Sequence, residues 1–469
     1  MTTDRDLERW IDAEYPVAAR ELFCSVSATG IEYQRTAFGQ RIRPARGSVL
    51  ASPVTQRAPG EPDYFFHWLR DSAIVMGAVQ VLIADGTVAA EGHAAFADFV
   101  AFSLKLDTLD GHRLAADPDY GARVAPDVKQ FLRPRTELAE VSGDRIRMET
   151  RFNPDGTLDV LRWSRPQLDG PATRALVLMQ YARHHPASDA LSALLESDID
   201  FALRHAGADS YDIWEERYCA DYYTRSVQQQ VLAQAAVSAR ARGESARAAA
   251  LSSASARLAE LLDTHWSEHQ GCYLSAVGTD RPGDRDIDFA VIFAALHSDR
   301  AEGDHSILDP RMQATLRRLI AVFAEDYQIN RATPDAAPAL GRFRGDSYQS
   351  GGAWYISTLG AAEFHYRLAQ AAVRQPLVSD SVNQAFRLQA GVASRSMGAQ
   401  ALASALTARG DAFMRTVMRF TPDSGVLSEQ FDQNDGRQTS ARRLTWSYAA
   451  FITAVSARRQ AVTAQLKCG

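Results

Sequence analysis

The stretch Asp169-Gly-Pro-Ala-Thr-Arg-Ala-Leu-Val-Leu-Met-Gln-Tyr-Ala-Arg-His-His185 sets the pattern for the whole chain. A capping acid and a proline stand ahead of Ala172, where a helix tolerates proline because its first N–H groups have no partner within the helix. Apolar residues then recur at helical spacing to residue 185, and a second amphipathic run follows over 188–206. Similar runs fall at 5–24, 71–85, 90–106, 221–242, 244–265, 286–297, 310–325, 351–373, 390–418 and 440–457, the last preceded by Ser440. Twelve helices in sequence pair into six antiparallel hairpins. Closed into a double-layered toroid, they make an all-α fold and one domain over 1–469, with function concentrated in the connecting loops. Those loops are 47–70, 108–170, 207–220, 332–350 and 420–439. Alternating β patterns are short, as in Arg145-Ile-Arg-Met-Glu-Thr-Arg151.

Composition excludes several functions. The chain has 469 residues, 46% of them hydrophobic and 23% charged, which is ample material for a large core. A formal net charge of −6 gives no basic field for nucleic acid or anionic lipid. No apolar run is long enough to span a membrane. Met1-Thr-Thr-Asp-Arg-Asp-Leu-Glu8 is charged where a secretory signal needs an apolar core, so a cytoplasmic location is expected. Cys24, Cys219, Cys272 and Cys468 show no CxxC spacing and read as free thiols.

Metal and nucleotide motifs fail on inspection. His265-Trp-Ser-Glu-His269 lacks the glutamate of a zinc-protease helix at the required place and reads as a solvated helix end. Asp284-Arg-Asp-Ile-Asp288 opens like a calcium loop, but Phe289 and Ala295 stand where glycine and glutamate are needed. No glycine-rich phosphate loop follows a strand. No cofactor and no metal are expected.

Tyr211-Asp-Ile-Trp-Glu-Glu-Arg-Tyr218 carries the chemistry. An indole beside two carboxyls suits a sugar, whose C–H face stacks on the ring while a carboxyl hands a proton to a leaving oxygen. Read blandly, the acids only favour the positive end of the next helix. Other loops repeat the same chemistry. Asp63-Tyr-Phe-Phe-His-Trp-Leu-Arg-Asp71 brings aromatics to an Arg70–Asp71 pair, and Trp163-Ser-Arg-Pro-Gln-Leu-Asp-Gly-Pro171 adds a second indole. Gly341-Arg-Phe-Arg-Gly-Asp346, Ser428-Glu-Gln-Phe-Asp432 and Leu444-Thr-Trp-Ser-Tyr448 complete the set. Taken singly, each has a structural explanation: a helix cap, a surface ion pair or a core aromatic. Repetition of one chemistry in separate loops argues for a carbohydrate site.

These motifs resemble the glucoamylases, glycoside hydrolase family 15. PDYFFHWLRDSA, WSRPQLDGPATRA, YDIWEE, LGRFRGDSY with Trp354 following, and LSEQFDQNDG with SARRLTWSYAA occur in that family's order from about residue 47 to 457. The resemblance implies an (α/α)6 barrel with the site at its loop-rich end. It also implies an inverting, exo-acting glycosidase that needs no partner but an oligosaccharide. A barrel of this size is expected to be a monomer. By the same resemblance Glu215 is the general acid and Glu429 the general base. Glu216 binds substrate beside the cleaved bond. Arg70 and Asp71 grip the terminal glucose, and Arg342 binds a further hydroxyl. Tyr64 and Gln430 orient the base and its water. Trp68, Trp163, Trp214 and Trp446 form aromatic walls, with Ile213 beside Trp214 in the binding loop.

An inverting glycosidase needs one protonated and one ionised carboxyl. Glu216 next to Glu215 is expected to raise the acid's pKa by like-charge repulsion. The chain departs from the family's fungal members at Arg162, at Arg217-Tyr218-Cys219 and at Gly345, all on the leaving-sugar side. It also carries no starch-binding module or Ser/Thr-rich linker. Short α-1,4-linked oligosaccharides are the expected substrates. Isomaltose-type α-1,6 links are the alternative, trehalose a weaker one, and a non-catalytic sugar-binding descendant an outside case.

Overall fold

The computed structural model describes residues 4–278, 284–333, 336–392 and 397–468. Among them, twelve helices run nine residues or longer. In chain order they are α1 Asp4–Phe23, α2 Leu69–Ala84, α3 Ala89–Leu106, α4 Asp169–His184, α5 Asp189–Arg204, α6 Tyr222–Ala241, α7 Ser245–Asp263, α8 Ala290–Ser298, α9 Pro310–Asp326, α10 Tyr355–Arg374, α11 Ala399–Phe420 and α12 Thr445–Cys468. They follow the twelve expected runs one for one. Caps explain several starts: the Ser188 side chain accepts from Leu191 N–H, and Asp309 accepts from Arg311 N–H ahead of Pro310.

Four expectations are corrected. The last two helices start later than read, at Ala399 and Thr445; residues 393–396 of the expected 390–418 run lie outside the described residues, as do 334–335 of the 332–350 loop. The run Arg145–Arg151 is not a strand over its length, because Asp144–Arg147 forms a helical turn that buries Ile146 against Leu138 and Val141. His265 is not a solvated helix end. It is fully buried, with Nδ1 2.8 Å from the Leu274 carbonyl oxygen and Nε2 3.1 Å from Arg225. Asp169 lies inside the first turn of α4 and its carboxylate is taken by another helix, as described below.

The described structure divides into two compact units. One comprises Met1–Glu21, Cys219–Ser226 and Arg257–Gly469; the other comprises Leu22–Tyr218 and Val227–Ala256. In the latter, α2 packs on α3 and α4, and α5 packs on α3 and α4. The α4–α5 contact is locked by Arg174, which forks onto Asp198 with two 2.7 Å hydrogen bonds, both partners being buried. At Gly170, a Cβ would come within 2.6 Å of Leu69 Cβ, so only glycine lets the start of α4 approach the start of α2. Two short strands, β1 His67–Trp68 and β2 Arg151–Phe152, pair antiparallel beside these helix starts.

In the former unit, α10 packs against α8, α11 and α12, and α8 packs on α9. α10 is buried along most of its length, from Tyr355 to Ala372, as expected of a helix covered on all sides. Its approach to α11 depends on Gly410, where a Cβ would meet the Tyr366 ring at 2.5 Å. A three-stranded antiparallel sheet, β3 Ala353–Trp354, β4 Ser428–Phe431 and β5 Gln438–Arg442, stands next to these helices in the order β3-β4-β5. Among the described residues no helix is long and apolar enough to cross a membrane.

Candidate active site

Glu215 sits in a tight loop that Asp212 folds. The Asp212 carbonyl accepts from Glu215 N–H at 2.9 Å, and its carboxylate accepts from Glu216 N–H at 2.9 Å. Gln167 donates to the same Asp212 carbonyl at 3.0 Å, and the Ser164 hydroxyl donates to the Glu215 carbonyl. Ile213 and Trp214 are buried and anchor the turn. Glu215 itself takes φ +64°, a left-handed conformation that a residue with a Cβ holds only when its surroundings force it. The strain aims the side chain.

Both oxygens of that carboxyl are held. Trp68 Nε1–H donates to Oε1 at 2.7 Å, Trp163 Nε1–H donates to Oε2, and Arg70 reaches Oε1 at 3.4 Å. Arg70 is anchored by Asp169 at 2.9 Å and lies 3.2 Å from Asp71. Asp169 Oδ1 is buried with no hydrogen-bond partner among the described residues, an acceptor that a hydroxyl would satisfy. Tyr64 packs edge-on to Trp68, ring centroids 5.3 Å apart. The Trp163 ring is 41% exposed. Thus Tyr64, Trp68, Arg70, Asp71, Trp163 and Glu215 come together as the motifs suggested.

Burial pushes the Glu215 carboxyl above its usual range. Arg70, the Trp163 hydrogen bond and Arg151 oppose that rise, and Asp71 adds to it. The anion that assists is therefore Asp71, not the adjacent Glu216, which is exposed. Burial likewise raises Asp71, with Arg70 acting against it.

Glu429 lies on β4 and is 3% exposed. Ser428 pairs with Arg442 and Gln430 with Thr439, so Ser440 and Ala441 together face the single residue Glu429. That bulge puts Ser440 at φ +64° and turns its hydroxyl onto Glu429 Oε2. Gln430 is fully buried opposite Trp354, and its Nε2 has no hydrogen-bond partner among the described residues. Arg342 forks onto Asp346 with bonds of 2.7 and 2.6 Å, and its guanidinium lies 5.1 Å from the Trp354 ring and 5.3 Å from that of Tyr348. Trp446 is buried, its ring 5.5 Å from Phe293.

Three contributors were not legible as such in the sequence. Asp169 read as a helix cap, Ser440 as a residue preceding a helix, and Arg151 as part of a strand. Only the first had a signal, its place in the motif that also supplies Trp163. Cys219 is buried and in no disulfide among the described residues. Among the described residues no group of three or more His, Cys, Asp or Glu side chains could hold a metal.

The model of glycosyl hydrolases family 15 matches residues 34–98 and 119–456. The chain belongs to that family. Among curated relatives, Glucoamylase-1 of Schizophyllum commune is 27% identical over 97% of this chain and 75% of its own length. The probable glucoamylase of Schizosaccharomyces pombe is 25% identical over 98% of this chain and 93% of its own. Among solved structures, the family 15 glucoamylase from Hypocrea jecorina matches with a TM-score of 0.80 at 24% identity, covering 97% of this chain and 72% of that one. The glucoamylase from Saccharomycopsis fibuligera matches at 0.78 and 22%, covering 97% and 96%. The fold is the all-α (α/α)6 barrel of these family 15 glucoamylases, and the chain is a glycoside hydrolase.

Proposed function

We propose that the chain is an inverting, exo-acting α-glucosidase, removing glucose from the non-reducing ends of α-1,4-linked oligosaccharides and releasing it as β-glucose. The observation that carries this reading is the carboxyl of Glu215, largely buried, raised in pKa and clamped by two indole N–H groups next to Arg70. Such a carboxyl keeps its proton to higher pH than an ordinary glutamate and delivers it to the glycosidic oxygen as the C–O bond breaks. Glu429 takes a proton from water as that water attacks the anomeric carbon from the opposite face, so the product inverts. Arg70, Asp71 and the unsatisfied Asp169 oxygen hold hydroxyls of the terminal glucose. Arg342 and Gln430 supply further hydroxyl and water contacts. The rings of Tyr64, Trp68, Trp163, Trp214 and Trp446, with Ile213, wall the sugar, and Glu216 binds beside the cleaved bond. Proton transfer between carboxyls and water needs neither cofactor nor metal.

A second reading, preference for α-1,6 links, rests on the residues after Glu216. Arg217 is half-buried with Nε 3.9 Å from Asp212, and exposed Tyr218 packs on Tyr211 with ring centroids 5.6 Å apart. Both stand where fungal members carry small or neutral side chains. Glucose release from maltose, maltotriose, isomaltose and trehalose, run in parallel, tests the pair. Preference for maltose or maltotriose supports the first reading and preference for isomaltose the second. Release from none of them overturns both.

A further inference from the structure

Both indoles that grip the Glu215 carboxyl lie against one buried cation, Arg151. The β1–β2 pairing sets Arg151 directly across from Trp68. Its guanidinium lies 3.5 Å from the Trp163 ring centroid, 4.0 Å from that of Phe66 and 5.0 Å from that of Trp68. These are close cation–π contacts, made where water is excluded, since Arg151 is 1% exposed. Trp68 and Trp163 are the two residues whose indole N–H groups grip Glu215. A cation on an indole draws electron density from the ring, so the N–H becomes a stronger donor.

Behind Arg151 runs a chain of alternating charges. Its Nε donates to Asp159 at 2.9 Å, and Asp159 also takes Arg165 at 3.1 Å. Arg165 donates to Glu149 at 2.7 Å, and Arg133 forks onto Glu149 at 2.8 and 2.7 Å. The Leu161 N–H fixes the other oxygen of Asp159 at 2.9 Å. Removing water from this many charges is costly unless each is paired, and here the pairing ends on the ring system under Glu215. Among the described residues Arg151 Nη1 is buried without a hydrogen-bond partner, so the cation is turned to the rings rather than fully neutralised by oxygen.

We propose that Arg151 is a positioning residue for the acid: through the two indoles it stacks against, it strengthens the N–H bonds that hold the Glu215 carboxyl, and Asp159 sets how much of its charge is felt there. The proposal rests on reading Glu215 as the general acid. Other charged groups facing Glu215 are Arg70 and Asp71 from α2, Asp169 from α4 through Arg70, and Asp212, Glu216 and Arg217 on its own loop. Arg35, 4.0 Å from the Phe66 ring and paired with Asp63, is the remaining cation of the cluster. None of these changes in the variants below.

Carbon NMR of glutamate-labelled protein, with Glu215→Gln to assign the resonance, reads the Glu215 titration in the whole enzyme. Arg151→Met removes the cation and is expected to raise the midpoint by about one pH unit. Asp159→Asn frees more of the cation's charge and is expected to lower it by a similar step. Arg151→Lys, which keeps the charge but loses the planar stack, should fall between Arg151→Met and the parent. The alkaline limb of kcat/KM should move with each midpoint, and kcat of Arg151→Met should drop roughly tenfold with KM little changed. An unmoved midpoint, or shifts of the same sign in Arg151→Met and Asp159→Asn, would overturn the proposal. If Arg151→Met does not fold, the opposite signs expected for Asp159→Asn and Arg151→Lys decide it. Full turnover in Glu215→Gln would instead sink the acid assignment, and the NMR midpoints would still report what Arg151 does to that carboxyl.

Discussion

The surroundings of Glu215 and of Glu429 solve different problems with different materials. Glu215 hangs on a strained loop and is gripped by aromatic N–H groups and an arginine, with paired charges stacked beneath. Glu429 is built into a sheet, where strand register and a one-residue bulge bring a serine hydroxyl onto it. Around the first, burial of a carboxyl dominates and cations only moderate it. Around the second, a neutral hydroxyl donates to the carboxylate from the facing strand. The contrast teaches that two chemically identical side chains are differentiated by what surrounds them, a loop with cation-backed rings in one case and a bulged strand in the other.

The sharpest way to break that contrast is to neutralise each carboxyl. Glu215→Gln and Glu429→Gln are each expected to lower turnover by about 10²-fold to 10⁴-fold while thermal unfolding stays close to that of the parent. Near-normal turnover in either variant would remove that residue from its role. The partners come next. Trp163→Phe keeps a ring over Arg151 but loses a donor to Glu215, so the alkaline limb of the pH–rate profile should move upward. Ser440→Ala loses the donor to Glu429 and leaves the partners of Glu215 intact, so the alkaline limb should stay in place. Each should cost roughly tenfold in kcat. If both variants shift the same limb, the two surroundings are not doing separate jobs.

The smallest effect concerns stability near Glu429. Glu14 of α1 is buried, one carboxylate oxygen has no hydrogen-bond partner among the described residues, and a Cβ at Gly425, four residues before Glu429, would fall 2.5 Å from the other. Burial pushes Glu14 up to about 8, Arg20 acting against the shift and Glu21 with it. The unfolded chain loses this proton near the ordinary glutamate value and the folded chain only near pH 8. Between those limits the folded state binds more protons, so stability falls as pH rises through the window. Thermal scans of the parent should show melting temperature dropping by a few degrees over that range from this group. Glu14→Gln should flatten the slope and melt higher than the parent at pH 8. An equal slope in both proteins would contradict the assignment.

How much of this was legible beforehand follows from the range of the forces involved. The twelve helices could be read because their signals are local: apolar spacing, an acid or serine at the start, a proline at the first turn. Short turns such as Asp144–Arg147 could not, because a single buried residue, Ile146, decides them. The carboxyls, the Arg70–Asp71 pair and the tryptophans were visible through motif resemblance. Asp169 was misread, since its partner Arg70 is 99 residues away and a capping acid looks the same in sequence. Ser440 depends on a bulge, and a one-residue offset between strands leaves no compositional trace. Arg151 is identified only by the strand pairing that sets it across from Trp68.

The central claim is that one carboxyl is kept as an acid and the other as a base, so that water attacks with inversion. Proton NMR of the anomeric region during the first turnovers on maltose, before mutarotation proceeds, tests it directly. The β anomer of glucose appearing first is the predicted result. The α anomer appearing first would mean that one carboxyl acts as a nucleophile, and the division of roles drawn from their surroundings would be wrong.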